Sequence, residues 1–314
     1  MSSSEPLDIK NYIGLTGDTP IRFIASDVDG TLVNDAKSVD PEVVNAVRAA
    51  RESGIRVAIA SGRAWHEMDD VIDAMPCLRY FVCTNGAYVM DKEEQKELVH
   101  ISFDKTRALD LVRKLMTYGV FVEAYVKAEI FGQYPVVGNE TAQAEHFFRP
   151  NIRPFILKTR TMVPDLLAHL ESLPEGPEKI QIFYGDERIR ERILVDLRDE
   201  FQGAATDGKG RERFYDVLES SEGNLEFVLP HTTKGTAVEA LANHWGYTPD
   251  EVMTIGDSEN DLSMIRFASA SVAMGNARDN VKAAARYETT DNNHYGVARA
   301  LYSAIAYNRE LENK

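Results

Sequence analysis

Short apolar runs that each stop at a small polar cluster constrain this chain more than any other feature. Residues 21–25 end at Ser26-Asp27-Val28-Asp29-Gly30-Thr31, and residues 55–60 end at Ser61-Gly62-Arg63. Residues 79–83 end at Thr84-Asn85-Gly86, and residues 252–255 end at Gly256-Asp257-Ser258-Glu259-Asn260-Asp261. Runs of this length without polar alternation predict strands buried on both faces. Between the first two, Val43, Val44, Val47 and Ala50 recur at helical spacing, with Pro41 in the first turn and Gly54 just past the end. A polar-faced helix is expected from there to Met75. Strand, helix, strand, helix, strand with short connections predicts an α/β fold: a doubly wound parallel sheet of Rossmann-like type.

After Gly86 the rhythm breaks. Residues 88–90 and 98–101 read as a hairpin around the charged stretch 91–97. Leu109, Val112 and Met116 mark a helix over 105–118, followed by a strand at 120–126. Residues 131–154 show little periodicity and are expected to be loop. Helix and strand resume at 163–173, 179–184 and 187–201, with further strands at 213–219 and 225–229. At Thr233 the doubly wound order returns: a helix to Trp245, a strand at 251–255, a helix at 260–267, a strand at 270–274 and a last helix after Gly296. The chain thus divides into an N-terminal arm (1–20, an expected poorly ordered leader), a core (21–101 and 230–314) and an inserted α+β unit (102–229). Glu123, Tyr125 and Lys127 share a strand of that unit, and recognition or plain packing against helices would each explain them.

The acidity of the chain, net charge −15 over 314 residues, argues against a surface built for nucleic acid or anionic lipid. Cys77 and Cys83 have neither zinc spacing nor a disulfide framework around them, so a reducing cytoplasm is the expected compartment. No apolar run approaches the ~20 residues of a membrane helix. Asp207-Gly208-Lys209-Gly210 lacks the strand and spacing of a nucleotide-binding loop. Oligomeric state is not legible.

The polar clusters sit where strands are expected to end, and in open α/β sheets ligands bind at the carboxyl ends of the strands. Asp27 and Asp29 can meet one substrate atom from two sides, one as nucleophile and the other as proton donor and acceptor; an Asx turn is the simpler alternative. Ser61 and the Gly62 amide can donate to a phosphate oxygen at a helix start, or Ser61 can simply cap that helix. Lys234 opposes the dipole of the helix it begins, a placement that costs free energy. Asp257, Glu259 and Asp261 put three acids in five residues, and like charges ~4 Å apart repel by about 4 kcal/mol at an effective dielectric of ~20, unless a cation or water screens them. An EF-hand is ruled out, because its sixth and twelfth positions are Leu262 and Ala268.

Taken together, Asp27-Val-Asp-Gly-Thr-Leu, Ala-Ser61-Gly-Arg, Thr-Lys234-Gly and Gly-Asp257-Ser-Glu-Asn-Asp261-Leu-Ser-Met resemble the four motifs of the haloacid dehalogenase-like (HAD) superfamily. Thr84-Asn85-Gly86-Ala and Asn292-Asn-His-Tyr-Gly296-Val-Ala narrow the likeness to its Cof-type phosphatases of class IIB, with an inserted α/β cap. Residues 102–229 match only in position and general character, as such a cap would.

The resemblance implies a Mg²⁺-dependent phosphatase of small phosphorylated metabolites, sugar phosphates or phosphorylated cofactors. Asp27 and Asp257 would bind Mg²⁺ through side chains and Asp29 through its carbonyl. Asp27 would attack phosphorus to give an aspartyl-phosphate, with Asp29 as acid and then base. Ser61, Gly62 and Asn260 would hold phosphoryl oxygens, and Lys234 would balance charge. Asp261 would orient Lys234 or a water on the metal, and Thr31, Arg63 and Asn85 would support the site. The inserted unit would set the substrate. A sugar phosphomutase shares this chemistry, and a phosphate-binding regulatory module would keep the fold without turnover. Asp29 disfavours a dehalogenase, because halide leaves without a proton.

Overall fold

A computed structural model describes residues 7–127, 129–136, 139–198, 213–219 and 223–314. The chain divides into two compact units: Met1–Arg63, Met68–Val99 and Thr233–Lys314 form the first, and Ala64–Glu67 with His100–Thr232 form the second.

The first unit is built on an eight-stranded sheet. In spatial order its strands are Tyr287–Glu288, Ala270–Ala273, Val252–Gly256, Phe23–Ser26, Arg56–Ala60, Tyr80–Cys83, Tyr88–Asp91 and Lys96–His100. The first six run parallel, and Tyr88–Asp91 turns back antiparallel on Tyr80–Cys83. The strand Phe23–Ser26 is buried on both faces and lies between the partners Val252–Gly256 and Arg56–Ala60. Those three carry the aspartate pair, the Gly256-Asp257 cluster and the Ser61 turn, so sheet order alone brings the clusters to one place. The helix Lys234–His244 covers one face through Ala237, Val238 and Leu241, against Phe23, Ala25, Ala58 and Val82. Trp245 closes that layer with ring centroids 5.0 Å from Phe23 and 4.7 Å from Tyr80.

The expected helix up to Met75 is a 3₁₀ turn, Trp65–Met68, running into the helix Asp69–Ala74. The helix expected at 260–267 likewise begins as a 3₁₀ turn, Glu259–Asp261, before Leu262–Phe267. Residues 7–20 do not behave as a loose leader. The amides of Tyr12 and Ile13 donate to Ser303 Oγ at 2.8 and 3.2 Å, and Leu15 is buried. Such isolated anchors have no period, which is why the segment reads as unstructured.

The second unit is a six-stranded sheet in the order Asp216–Leu218, Asn224–Val228, Lys179–Phe183, Phe121–Val126, Glu129–Gln133, Thr161–Met162. It is antiparallel except for its last pair. Val122, Ala124, Ile180, Ile182, Leu225 and Phe227 alternate onto one face against the helices Lys105–Met116 and Leu166–Ser172. The opposite register is polar yet buried. Glu123 accepts from Arg160 Nε at 3.0 Å, and the Tyr125 hydroxyl donates to Glu123 at 2.9 Å. Burial works against the Arg160 charge, but Glu123 outweighs it and raises the pKa.

The expectation of loop over 131–154 is wrong. That stretch holds the end of the strand Glu129–Gln133, the helix Glu140–Phe147 and the start of Arg153–Thr159. Each helix spans about two turns, too few for an apolar period to declare itself. What fixes them is a non-local aromatic cluster, in which Phe147 and Phe148 meet Phe121 and Phe183. The expected helix over 187–201 is Glu187–Asp196 in the described part, and the 213–219 strand shortens to Asp216–Leu218. Residues 199–201 and the 207–210 segment lie outside the described residues.

Candidate active site

The helix Lys234–His244 starts on a capping box between Thr233 and Thr236, which fixes where the Lys234 backbone lies. Its side chain, 1% exposed, places Nζ 2.6 Å from Asp27 Oδ1 and 2.6 Å from Asp261 Oδ1. The cost of a lysine at a helix start is thus offset by two charge-assisted contacts. Burial favours a neutral amine, but Asp261 and Asp27 outweigh it and raise the pKa, so Lys234 stays charged.

Both oxygens of Asp261 are engaged. Its other oxygen accepts from the amides of Asp257 and Ser258 at 2.9 and 3.0 Å. That tuck requires glycine at 256, where a Cβ would lie 2.6 Å from the Asp261 Cβ. Asp27, Asp257 and Asp261 each present an oxygen within 4.8 Å of the others. Burial pushes the Asp27 carboxyl well up, Asp261 adds to this, and Lys234 only partly opposes it. Burial and Asp261 raise Asp257 as well. The Thr31 hydroxyl donates to Asp257 Oδ1 at 3.2 Å.

Asp29 has a different environment. Arg63 grips it with two bonds of 2.7 Å, from Nε and Nη2, and Lys37 Nζ adds a third at 3.1 Å. Burial pushes its pKa up, but the Arg63 hydrogen bond and charge, helped by Lys37, pull it below the usual carboxylate range. Arg63 is itself anchored, because its amide donates to Ser61 Oγ at 3.1 Å. This is a local serine turn and not a helix cap, because the following 3₁₀ turn begins only at Trp65. Asn85 sits at φ 52 and donates its amide to the Ser61 carbonyl at 2.9 Å. Asn260 Nδ2 donates to Asn85 Oδ1 at 3.3 Å, and a Cβ at Gly62 would lie 3.2 Å from the same oxygen. Gly86, at φ +104, packs so closely that a Cβ would be 2.3 Å from the Thr233 carbonyl.

The contacts form two groups, Asp27, Thr31, Lys234, Asp257 and Asp261 in one and Asp29, Ser61, Arg63, Asn85 and Asn260 in the other, with Gly62 packed beside Asn85; Ser258 links them, its Oγ donating to Asn260 Oδ1 at 3.0 Å. Lys37 was missed, since a lysine in an Asn-Asp-Ala-Lys turn has no local signature.

Carboxylates sharing one buried lysine thus gather at the carboxyl ends of parallel strands, where open α/β sheets bind ligands. A family model described as haloacid dehalogenase-like hydrolase matches residues 24–301, and the chain belongs to that family. The phosphatase YwpJ of Bacillus subtilis is 30% identical over 290 residues, covering 90% of this chain and 99% of the relative. The 5-amino-6-(5-phospho-D-ribitylamino)uracil phosphatase YcsE of the same organism is 28% identical over 288 residues, 90% of this chain and 96% of the relative. A crystal structure of a haloacid dehalogenase-like hydrolase from Bacteroides thetaiotaomicron superposes with a TM-score of 0.73 at 27% identity, covering 90% of this chain and 98% of that one. The protein is a phosphatase of this family. Among the described residues no helix is long and apolar enough to cross a membrane.

Proposed function

We propose that the protein is a Mg²⁺-dependent phosphatase that hydrolyses small phosphorylated metabolites through an aspartyl-phosphate on Asp27. One observation carries this reading: Lys234 is shared between Asp27 and Asp261, with Asp257 alongside. The lysine holds Asp27 in place, and Asp261 spends both its oxygens doing the same for Lys234 and the 257–258 backbone.

The donor set suits a hard cation, being carboxylate oxygens that burial and the charge of Asp261 raise together, with Lys234 relieving only part of this. We assign Mg²⁺ to the side chains of Asp27 and Asp257 and the carbonyl of Asp29. Bound there, it would neutralise the repulsion between these acids and a phosphate dianion.

The Asp27 carboxylate attacks phosphorus, and the ester P–O bond breaks as the acyl phosphate forms. The departing oxygen takes a proton from Asp29. Water then loses a proton to Asp29 and attacks phosphorus, releasing phosphate and restoring Asp27. The grip of Arg63 and Lys37 favours the ionised Asp29 that accepts the proton from water. For the first half, those contacts must be exchanged for contacts to the substrate. Ser61, the Gly62 amide and Asn260 are assigned to phosphoryl oxygens. Substrate selection is assigned to the inserted unit. The relative YcsE is named for a phosphorylated ribitylaminouracil, and a small metabolite of that kind, a sugar phosphate or a phosphorylated cofactor fits this reading.

The test is phosphate release from p-nitrophenyl phosphate and a panel of sugar, nucleotide and cofactor phosphates, with Mg²⁺, with excess chelator and with Asp27→Asn. Turnover that requires both Mg²⁺ and Asp27 is the expected result. Turnover surviving in Asp27→Asn would overturn the assignment, and folded, Mg²⁺-binding wild type without turnover would favour the mutase or binding-module alternative.

A further inference from the structure

The turn that follows Asp29 is held from the far end of the chain. Asn276 Nδ2 donates to the Gly30 carbonyl at 2.8 Å, and Asn292 Nδ2 donates to the Val33 carbonyl at 3.1 Å. The two asparagines are tied to each other, the Asn292 amide donating to Asn276 Oδ1 at 3.1 Å. Asn292 is 7% exposed, and its Nδ2 also reaches Asp35 Oδ1 at 3.1 Å. Asn293 adds an exchange with Asp35: its Nδ2 donates to Oδ2 at 3.0 Å, and the Asp35 amide donates to Asn293 Oδ1 at 3.1 Å.

The turn itself is compact. The amides of Thr31, Leu32 and Val33 all donate to the Val28 carbonyl, Asp29 bridges to Val33, and Gly30 adopts φ +78. The asparagines take two of its carbonyls, Gly30 and Val33. A shift of this turn would break an amide contact at one end or the other. The donors are neutral, so they fix the backbone beside Asp29 without adding a charge that would compete with Arg63. The same hydrogen bonds to Asp35 steady the 34–38 hairpin, where Asn34 accepts from the Ser38 amide at 3.1 Å and Lys37 reaches back to Asp29.

We propose that Asn276 and Asn292 are positioning residues for Asp29, setting the direction from which its carboxyl meets the leaving oxygen. The inference rests on the phosphatase reading above, with Asp29 as the acid. A general acid works only within hydrogen-bond reach of its target, so a turn displaced by about 1 Å is felt in the proton transfer. It is felt unequally. An alkyl leaving group needs the proton, whereas p-nitrophenolate departs without one.

The experiment measures kcat/KM, which reports steps only through departure of the alcohol, for p-nitrophenyl phosphate and for whichever sugar or polyol phosphate wild type hydrolyses fastest. Wild type, Asp29→Asn, Asn276→Ala and Asn292→Ala are compared with Mg²⁺ present, and melting temperatures confirm folding. Each asparagine variant is expected to lose about 10-fold or more on the alkyl ester and less than about 3-fold on the aryl ester, a milder copy of Asp29→Asn. Equal losses on both esters, or none on either, overturn the proposal, because a purely structural role lowers both alike. Asn276 is exposed, so its variant decides the matter if Asn292→Ala does not fold. A biased Asp29→Asn with unbiased asparagine variants defeats this inference alone. An unbiased Asp29→Asn in an active enzyme defeats the acid assignment, and the inference falls with it.

Discussion

Replacing Lys234 by methionine isolates what the shared lysine contributes. The side chain is 1% exposed, and its partners Asp27 and Asp261 are 5% and 0% exposed. At 2.6 Å and an effective dielectric of ~20, each contact is worth about 6 kcal/mol of gross attraction before desolvation. Methionine preserves length and packing but strands two buried carboxylates, and breaking a buried pair costs about 3–5 kcal/mol. With a urea m-value of roughly 2–3 kcal/mol/M, the midpoint should fall by about 1–2.5 M. Trp245 lies in the first unit against Phe23 and Tyr80, so its fluorescence in a Trp65→Phe background follows that unit alone. Chelator keeps cations out. Burial and Asp261 already raise the Asp27 carboxyl, and without the opposing lysine its native pKa lies further above its unfolded one. Its cost is therefore fully present at higher pH and shrinks as pH falls through the native value. A midpoint change below about 0.3 M, or a defect that grows on acidification, would refute the reasoning.

Two further perturbations follow from the same electrostatics. Asp257→Asn removes a carboxyl whose pKa is raised by burial and by Asp261, so in chelator the variant should melt above wild type, most clearly at higher pH, and should lack the Mg²⁺-induced rise in melting temperature expected of wild type; a lower melting temperature in chelator would contradict this. In the second unit, Arg160→Met leaves two buried carboxylates, Glu123 and Glu67, without their shared guanidinium and should cost about 3–5 kcal/mol, part of it recovered by adding Glu123→Leu. Hydrogen exchange of the six-stranded sheet reads this out, and a double variant no more stable than the single one would count against it.

Much of the site was legible because its signals are local. An apolar run that stops at Asp27-Val-Asp-Gly declares both a strand and its polar end within a dozen residues, and Lys234 was conspicuous for sitting where a helix dipole disfavours it. The opposed environments of Asp27 and Asp29, two residues apart, were not legible. One is raised by burial and Asp261, the other lowered by Arg63 and Lys37, and those neighbours are set by the fold.

The short helices over 140–159 escaped notice for a related reason, since two turns carry no period and a distant aromatic cluster decides them. Residues 7–20 are held by Ser303, nearly 300 positions away. The sequence by itself determined which residue types stand at the strand ends, because backbone sterics and apolar periodicity act over a few positions. Only the tertiary structure decided that Asn276 and Asn292 close on the turn beside Asp29, because a hydrogen bond between residues 246 and 259 positions apart leaves no pattern in either neighbourhood.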